Sequence, residues 1–330
     1  MISAQDGCIH SLETNRKVSC WVTGAHGFIG RHLSQYLAVC GWRVAGIGHG
    51  AWAPNEARAW GLHHWLSGEV NLANLARMER EWGSPEVVFH LAGGSSVGAA
   101  LANPLEDFRR TVVSTSEVLE WMRLHAREAR LVAVSSAAVY GAGHDGPITE
   151  TAQTLPFSPY GAHKLMMEDL CRSYATNYEV NVVLPRLFSV YGCGLKKQLL
   201  WDLCEKLATR KSVELGGSGA EPRDWIEVRD VVRGLHCVSQ IASAEAPSIN
   251  IASGQGNTVR EAALMVAMSW AASGVFMPAV SFNGRSRPGD PFSLVADVSR
   301  MRSLGISITI PVSQGVADYV AWYQGLQPVA

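Results

Sequence analysis

The stretch Thr23-Gly24-Ala25-His26-Gly27-Phe28-Ile29-Gly30 constrains the fold more than any other part of the chain. It follows an apolar run at 18–22 and leads into a helical pattern at 28–40, so it reads as strand, glycine turn and helix N-terminus. Gly24 permits a tight turn, Gly27 lets the backbone approach a pyrophosphate, and Gly30 lets the helix lie close on the strand. The N–H groups of the first helical turn then face the phosphates, with the positive end of the helix dipole behind them. In a chain with 32 glycines a bare G-x-x-G-x-x-G has a plain turn as its alternative. The strand before it and the helix after it favour a dinucleotide site.

The following segments keep the same alternation. Strands are expected at 42–47, ending in Gly48-His49-Gly50, at 87–92, at 131–135 and at 180–184. An Ala- and Trp-rich loop follows the second strand, then a short apolar stretch, His64-Trp65-Leu66, and Gly68-Glu69-Val70. Helical patterns occupy 72–82, a segment from Pro104 through Met122, and 160–174, the last preceded by a Gly/Pro-rich loop at 141–159. This spacing predicts an α/β fold, a Rossmann-like doubly wound parallel sheet with helices on both faces.

Beyond Tyr191 the elements shorten. Helices are expected at 199–207, 231–239, 259–270 and 316–322, strands at 225–228 and 250–252, and a Gly-rich turn region at 212–220. The expected division is a flexible leader at 1–16, a dinucleotide-binding domain at 17–187 plus about 223–251, and a smaller C-terminal lobe at about 188–222 plus 252–330 that binds substrate.

Composition excludes several classes. With 28 basic against 29 acidic residues, no global field draws the chain to nucleic acid or an anionic membrane. No run of about 18 apolar residues is present, and the leader is polar, unlike a signal peptide. Seven cysteines form no C-x-x-C pair, which fits reduced thiols in a cytoplasmic protein. Eleven histidines show no ligand spacing, so no metal is expected.

Tyr160-Gly161-Ala162-His163-Lys164 places a phenol and an ammonium four residues apart, on one helix face. A cation beside a phenol is expected to lower its pKa from about 10 towards the range of a general base. Ser136, ending the preceding strand, is in a position to hydrogen-bond the same substrate oxygen. The alternative is a core tyrosine with a solvated lysine beside it.

Taken in order, several motifs resemble the extended short-chain dehydrogenase/reductase family of nucleotide-sugar epimerases, dehydratases and reductases, especially its UDP-galactose 4-epimerase branch. They are Thr23 to Gly30, Val88-Phe89-His90-Leu91-Ala92-Gly93, Val134-Ser135-Ser136-Ala137-Ala138-Val139-Tyr140-Gly141, Ser158-Pro159-Tyr160-Gly161-Ala162-His163-Lys164, Arg223-Asp224-Trp225-Ile226-Glu227-Val228-Arg229-Asp230 and Arg287-Pro288-Gly289-Asp290. The resemblance implies that Ser136, Tyr160 and Lys164 are catalytic: Tyr160 takes the proton of a sugar hydroxyl, Ser136 orients that hydroxyl, and Lys164 binds the nicotinamide ribose. It assigns Gly24, His26, Gly27, Phe28, Ile29, His49, Glu69, Val70, Leu91, Ala92 and Gly93 to the cofactor, together with Tyr160 and Lys164. Ser96, Val97, Ser136, Ser189, Arg223, Arg287 and Asp290 fall to a nucleotide-diphosphate sugar. For the two arginines the alternative is a surface ion pair with Asp224 or Asp290; for the 93–98 loop it is a plain turn. A homodimer through the helices at 104–124 and 160–174 is implied as well.

Three departures from the family pattern stand out. Gly48 replaces the acidic residue that bonds the adenosine ribose in NAD-binding members, so the cofactor is NAD or, with His49 nearby as a donor, NADP. Thr111 and Ser189 replace asparagines. Ala137 and Ala138 stand where dehydratases place a carboxylate, and neither can transfer a proton. Two reactions remain: epimerisation at C4 with a retained NAD, which the run Ser-Ala-Ala-Val-Tyr-Gly favours, and NADPH-dependent reduction of a 4-keto sugar, which Gly48 favours. A non-catalytic nucleotide sensor on the same fold is the reading from another class.

Overall fold

The computed structural model describes residues 17–326 apart from 273, 275 and 286–292. The expected leader at 1–16, Arg287 and Asp290 lie outside the described residues. In chain order the elements are β1 (Ser19–Thr23), α1 (Phe28–Val39), β2 (Arg43–Gly48), α2 (Pro54–Ala59), β3 (His64–Ser67), α3 (Leu72–Trp82), β4 (Val87–His90), α4 (Val97–Ala102), α5 (Pro104–Phe108), a π-helical turn (Arg109–Val113), α6 (Ser114–His125), β5 (Arg130–Ala133), β6 (Ser135–Ser136), α7 (Pro159–Tyr178) and β7 (Asn181–Leu187). They continue with β8 (Ser189–Tyr191), α8 (Gln198–Leu207), β9 (Ser212–Leu215), β10 (Pro222–Glu227), α9 (Val228–Val238), β11 (Ser248–Ile251), β12 (Gly256–Thr258), α10 (Val259–Ala272), β13 (Ala279–Phe282), α11 (Ser299–Ser303) and α12 (Val312–Gln324).

The main sheet runs β11-β7-β5-β4-β1-β2-β3, with β6 against β7. Its pairs β1–β2, β1–β4, β2–β3, β4–β5 and β5–β7 are parallel. Because β1 lies between β2 and β4, the strand order reverses there, and Thr23 is in register with both Ile47 and His90. The carboxyl ends of β1 and β4 therefore flank the crevice where an open α/β sheet binds its ligand. Val87–His90 is buried along its whole length, as a strand covered on both faces requires. Behind the sheet, Trp21 and Trp121 stack at 4.6 Å within a cluster that includes Ile47, Leu75, Met78, Leu131 and Met167.

The chain divides into two compact units. One comprises residues 1–141, 153–186 and 232–249; the other comprises 142–152, 187–231 and 250–330. In the second, β10 lies between β8, parallel, and β12, antiparallel, while β9 and β13 form a parallel pair. Among the described residues no helix is long and apolar enough to cross a membrane.

Four local expectations are corrected. The Ala- and Trp-rich loop contains α2, with Pro54 at its first turn, where the missing N–H costs nothing. Part of the 212–220 turn region is β9, whose Ser-Val-Glu-Leu alternates exposed and buried; the glycines that follow masked that two-residue period. α7 runs on to Tyr178 and ends on Glu179 in the left-handed region (φ 59). The single helix expected from Pro104 to Met122 is α5, a π-helical turn and α6. There the β-branched run Thr111-Val112-Val113 meets hydroxyls that bond back to carbonyls, Ser114 Oγ to Arg110 O (2.5 Å) and Thr115 Oγ1 to Thr111 O (2.6 Å). Such competition loosens an α-helix.

Candidate active site

The glycine loop has no room for side chains. A Cβ on Gly30 would run into the Gly24 carbonyl oxygen, and one on Gly24, which has φ +69, would lie 2.9 Å from the Ala92 nitrogen. α1 starts at Gly27 with no side-chain cap and no acidic residue in its first turn. A helix start with uncapped N–H groups over a cradle that a Cβ would fill suits a dinucleotide pyrophosphate.

The neighbouring loops are tied to it. Leu91 N donates to Thr23 O (3.2 Å) and Ala92 N to Thr23 Oγ1 (3.1 Å). Beneath them the buried His90 ring bridges Thr23 Oγ1 (2.8 Å) and Thr115 Oγ1 (3.0 Å). Burial, reinforced by the Lys164 charge, pushes His90 down to about 3, so the ring is neutral. Gly94 N donates to Thr111 Oγ1 at 2.8 Å, so the threonine standing in for the family's asparagine pins the 93–94 turn from the π-helical segment. At the other edge, Gly68 N donates to Gly48 O, which sets Glu69 and Val70 just past the end of β2. His49 is exposed.

Ser136, Tyr160 and Lys164 come together beside these loops. α7 begins with Ser158 Oγ accepting Gly161 N (3.2 Å) and with Pro159 at its first position. Gly161 allows the close approach: a Cβ there would sit 2.5 Å from the Ala138 carbonyl oxygen, in the turn that Ser136 caps through Ala138 N. Tyr160 and Ser136 share a side-chain hydrogen bond. Lys164, 5% exposed, donates to Val134 O at 2.9 Å, and its Nζ lies 3.2 Å from where a Cβ of Gly93 would be.

The electrostatics correct one expectation. Burial raises the Tyr160 phenol above its ordinary value, Asp107 adds to the rise, and only the Ser136 hydrogen bond opposes it. Lys164 is not among the influences on the phenol, because its ammonium points to Val134 O and Gly93. Burial pushes Lys164 itself down to about 8, with Asp107 and Glu168 resisting.

Two supporting groups were not anticipated. Asp107 Oδ2 lies 2.6 Å from His163 Nδ1, and a Cβ on Gly94 would run into the same carboxylate. The fully buried Glu168, one turn beyond Lys164, accepts from Ser135 Oγ (2.6 Å) and from Arg186 Nε (2.9 Å) and Nη2 (2.7 Å). Burial pushes Glu168 up, but these bonds outweigh it and leave the carboxyl below its usual range. These bonds tie β6, which carries Ser136, and β7 to the helix that carries Tyr160. Glu168 shares the buried face of α7 with Gly161, Lys164, Met167, Cys171 and Ala175, and no sequence motif marks it.

The residues assigned to substrate are placed as follows. Ser96 Oγ caps α4 at Ala99 N (3.3 Å), and Val97 begins that helix. In the second unit Ser189 opens β8 opposite Trp225, and Arg223 donates to Pro222 O. Asp224, the ion-pair partner offered as the alternative for Arg223, is buried and accepts from Ser253 N and Oγ, Gly254 N and Ala296 N.

The NAD dependent epimerase/dehydratase family matches residues 20–252. UDP-glucose 4-epimerase 2 of Oryza sativa subsp. japonica is 30% identical over 320 residues, covering 84% of this chain and 76% of its own length. MoeE5, solved in complex with UDP-glucuronic acid and NAD, is 30% identical with a TM-score of 0.81, over 93% of this chain and 99% of its own. The UDP-glucose 4-epimerase of Thermus thermophilus, solved with NAD, is 25% identical with a TM-score of 0.82, over 94% of this chain and all 100% of its own. A glycine cradle at the switch point, a Ser-Tyr-Lys set beside it and a match across most of the chain agree: the chain belongs to the NAD dependent epimerase/dehydratase family.

Proposed function

We propose that the chain is a nucleotide-sugar 4-epimerase that works with NAD and acts on a UDP-hexose. The observation that carries this is the hydrogen-bonded Ser136–Tyr160 pair, set by Gly161 beside the loop that Lys164 and Gly93 share. The names of the relatives supply the nucleotide and the position of the chemistry.

A nicotinamide dinucleotide held over Gly24, Gly27 and Gly30 would supply a reversible hydride acceptor for sugar C4. Tyr160 removes the proton of the C4 hydroxyl, Ser136 holds that oxygen by hydrogen bonding, and the proton goes back once the sugar has presented its other face. Tyr160 is raised in the free protein, so its action as a base requires positive charge nearby. An oxidised nicotinamide beside the phenol would supply it, since the Lys164 ammonium is engaged at Val134 O. His26, Phe28, Ile29, Glu69, Val70, Leu91 and Ala92 belong to the cofactor in this reading, Ser96 and Val97 to the sugar, and Ser189 and Arg223 to the diphosphate. Ala137 and Ala138 offer no second acid or base, which leaves water elimination without a proton carrier. A homodimer through α6 and α7 belongs to the same reading; Leu124, Met166 and Tyr178 are exposed apolar side chains there.

The test incubates the purified chain with UDP-glucose, UDP-glucuronic acid and their N-acetylated analogues and follows C4 inversion by NMR. Epimer formation with no net change in nicotinamide absorbance supports the reading. The second reading, a 4-keto sugar reductase, is favoured by Gly48; it predicts no epimer and one equivalent of reduced cofactor oxidised per product.

A further inference from the structure

The end of β2 is built unlike the catalytic end of the site. Gly48 carries no carboxylate, and behind it lies an aromatic cluster: His26 and Trp52 rings 4.6 Å apart, Trp52 and Trp65 5.2 Å apart, with the His26 ring against Gly50. Arg31, in the first turn of α1, reaches into this cluster. Its guanidinium donates to the His26 carbonyl (2.8 Å) and lies over Trp60 (5.2 Å) and Trp52 (6.0 Å). It is half-buried, and its Nε is buried without a hydrogen-bond partner. Burial lowers its pKa, and among the described residues no carboxylate offsets that. Glu56, whose charge reaches His26, is engaged at Ala53 N.

A half-desolvated cation with an orphaned donor and no counter-ion is a seat waiting for an anion. The planar fork of arginine, steadied on two indoles, suits a phosphate. The anion available at the end of the second strand of a dinucleotide fold is the phosphate on the adenosine ribose. We propose that Arg31, flanked by Trp52 and Trp60, accepts a ribose 2′-phosphate, so that the chain binds NADP(H) at least as tightly as NAD(H). The proposal rests on the dinucleotide reading of the glycine loop and leaves the C4 chemistry unchanged, because an epimerase returns its cofactor to the starting redox state. Glycine at position 48 makes the seat usable, since a carboxylate there would repel the phosphate.

The test is binding, read by tryptophan fluorescence and calorimetry on the full chain stripped of nucleotide. NADP+ is expected to bind as tightly as NAD+ or tighter, and 2′,5′-ADP tighter than 5′-AMP, with a steeper loss as salt rises. Arg31→Leu, which keeps an aliphatic stem between the indoles, is expected to weaken NADP+ and 2′,5′-ADP about tenfold or more while leaving NAD+ within about threefold. Arg31→Lys, which keeps the charge and loses the fork, is expected to fall between. Retained NAD+ binding reports that each variant is folded. NADP+ binding about tenfold or more weaker than NAD+ in the unaltered chain, or equal losses of both dinucleotides in Arg31→Leu, overturns the proposal. If neither dinucleotide binds, the reading of the glycine loop falls with it, whatever the outcome of the sugar assays.

Discussion

The catalytic end of the dinucleotide site and its adenosine end are held by different forces. Around Ser136, Tyr160 and Lys164 the positions are set by short polar bonds and by glycines with no spare space: Glu168 to Ser135 and Arg186, Lys164 to Val134, Gly161 against Ala138. Around Gly48 the chain is held by indole and imidazole faces, with one cation left without a counter-ion among the described residues. Geometry for proton transfer tolerates little displacement, whereas recognition of a ribose substituent can be changed by one side chain.

Mutation can break that contrast or sharpen it. Tyr160→Phe is expected to cut epimerisation about 10²- to 10⁴-fold at unchanged melting temperature, checked by NMR assay and calorimetry; a loss of only a few-fold would remove the phenol from the chemistry. Gly161→Val is expected to cost about 10²-fold, because the branched side chain must push α7 off the Ala138 carbonyl. Glu168→Ala strands Arg186 and is expected to cost about 3–5 kcal/mol of stability in urea unfolding, against about 1 kcal/mol for Trp52→Ala. A reversed ranking would overturn the comparison. The last effect is in pH. Lys164 titrates near 8 in the folded chain against 10.5 as its ordinary value, so between those values the unfolded chain binds more protons. Stability therefore gains from Lys164 as pH rises through that window, and Lys164→Met is expected to abolish that gain.

What the sequence makes legible is what neighbours along the chain decide. The glycine spacing specifies β1, its turn and the start of α1 because strand, turn and helix are contiguous, and the Tyr160–Lys164 spacing puts both residues on one helix face. The direction of the Tyr160 shift was not legible: it depends on burial and on Asp107, which is distant in the chain. The hydroxyl back-bonds explain the π-helical turn once seen, but a Thr-Val-Val run gives no sign of it beforehand. Arg31 lies within the most readable motif of all, yet its isolation emerges only when Trp52, Trp60 and Gly48 are placed around it.

His90 extends the contrast to acid. It is not one of the catalytic three, yet it joins β1, through Thr23, to the helix that carries Thr115. Its folded value near 3 lies far below the ordinary 6.5, so across that interval the unfolded chain takes up the proton that the folded chain refuses. Stability from this group is complete above about 6.5 and drains away as the solution is acidified towards 3. Acid lability in this protein is thus stored in the seam of the sheet, in a histidine whose usefulness depends on its never becoming charged.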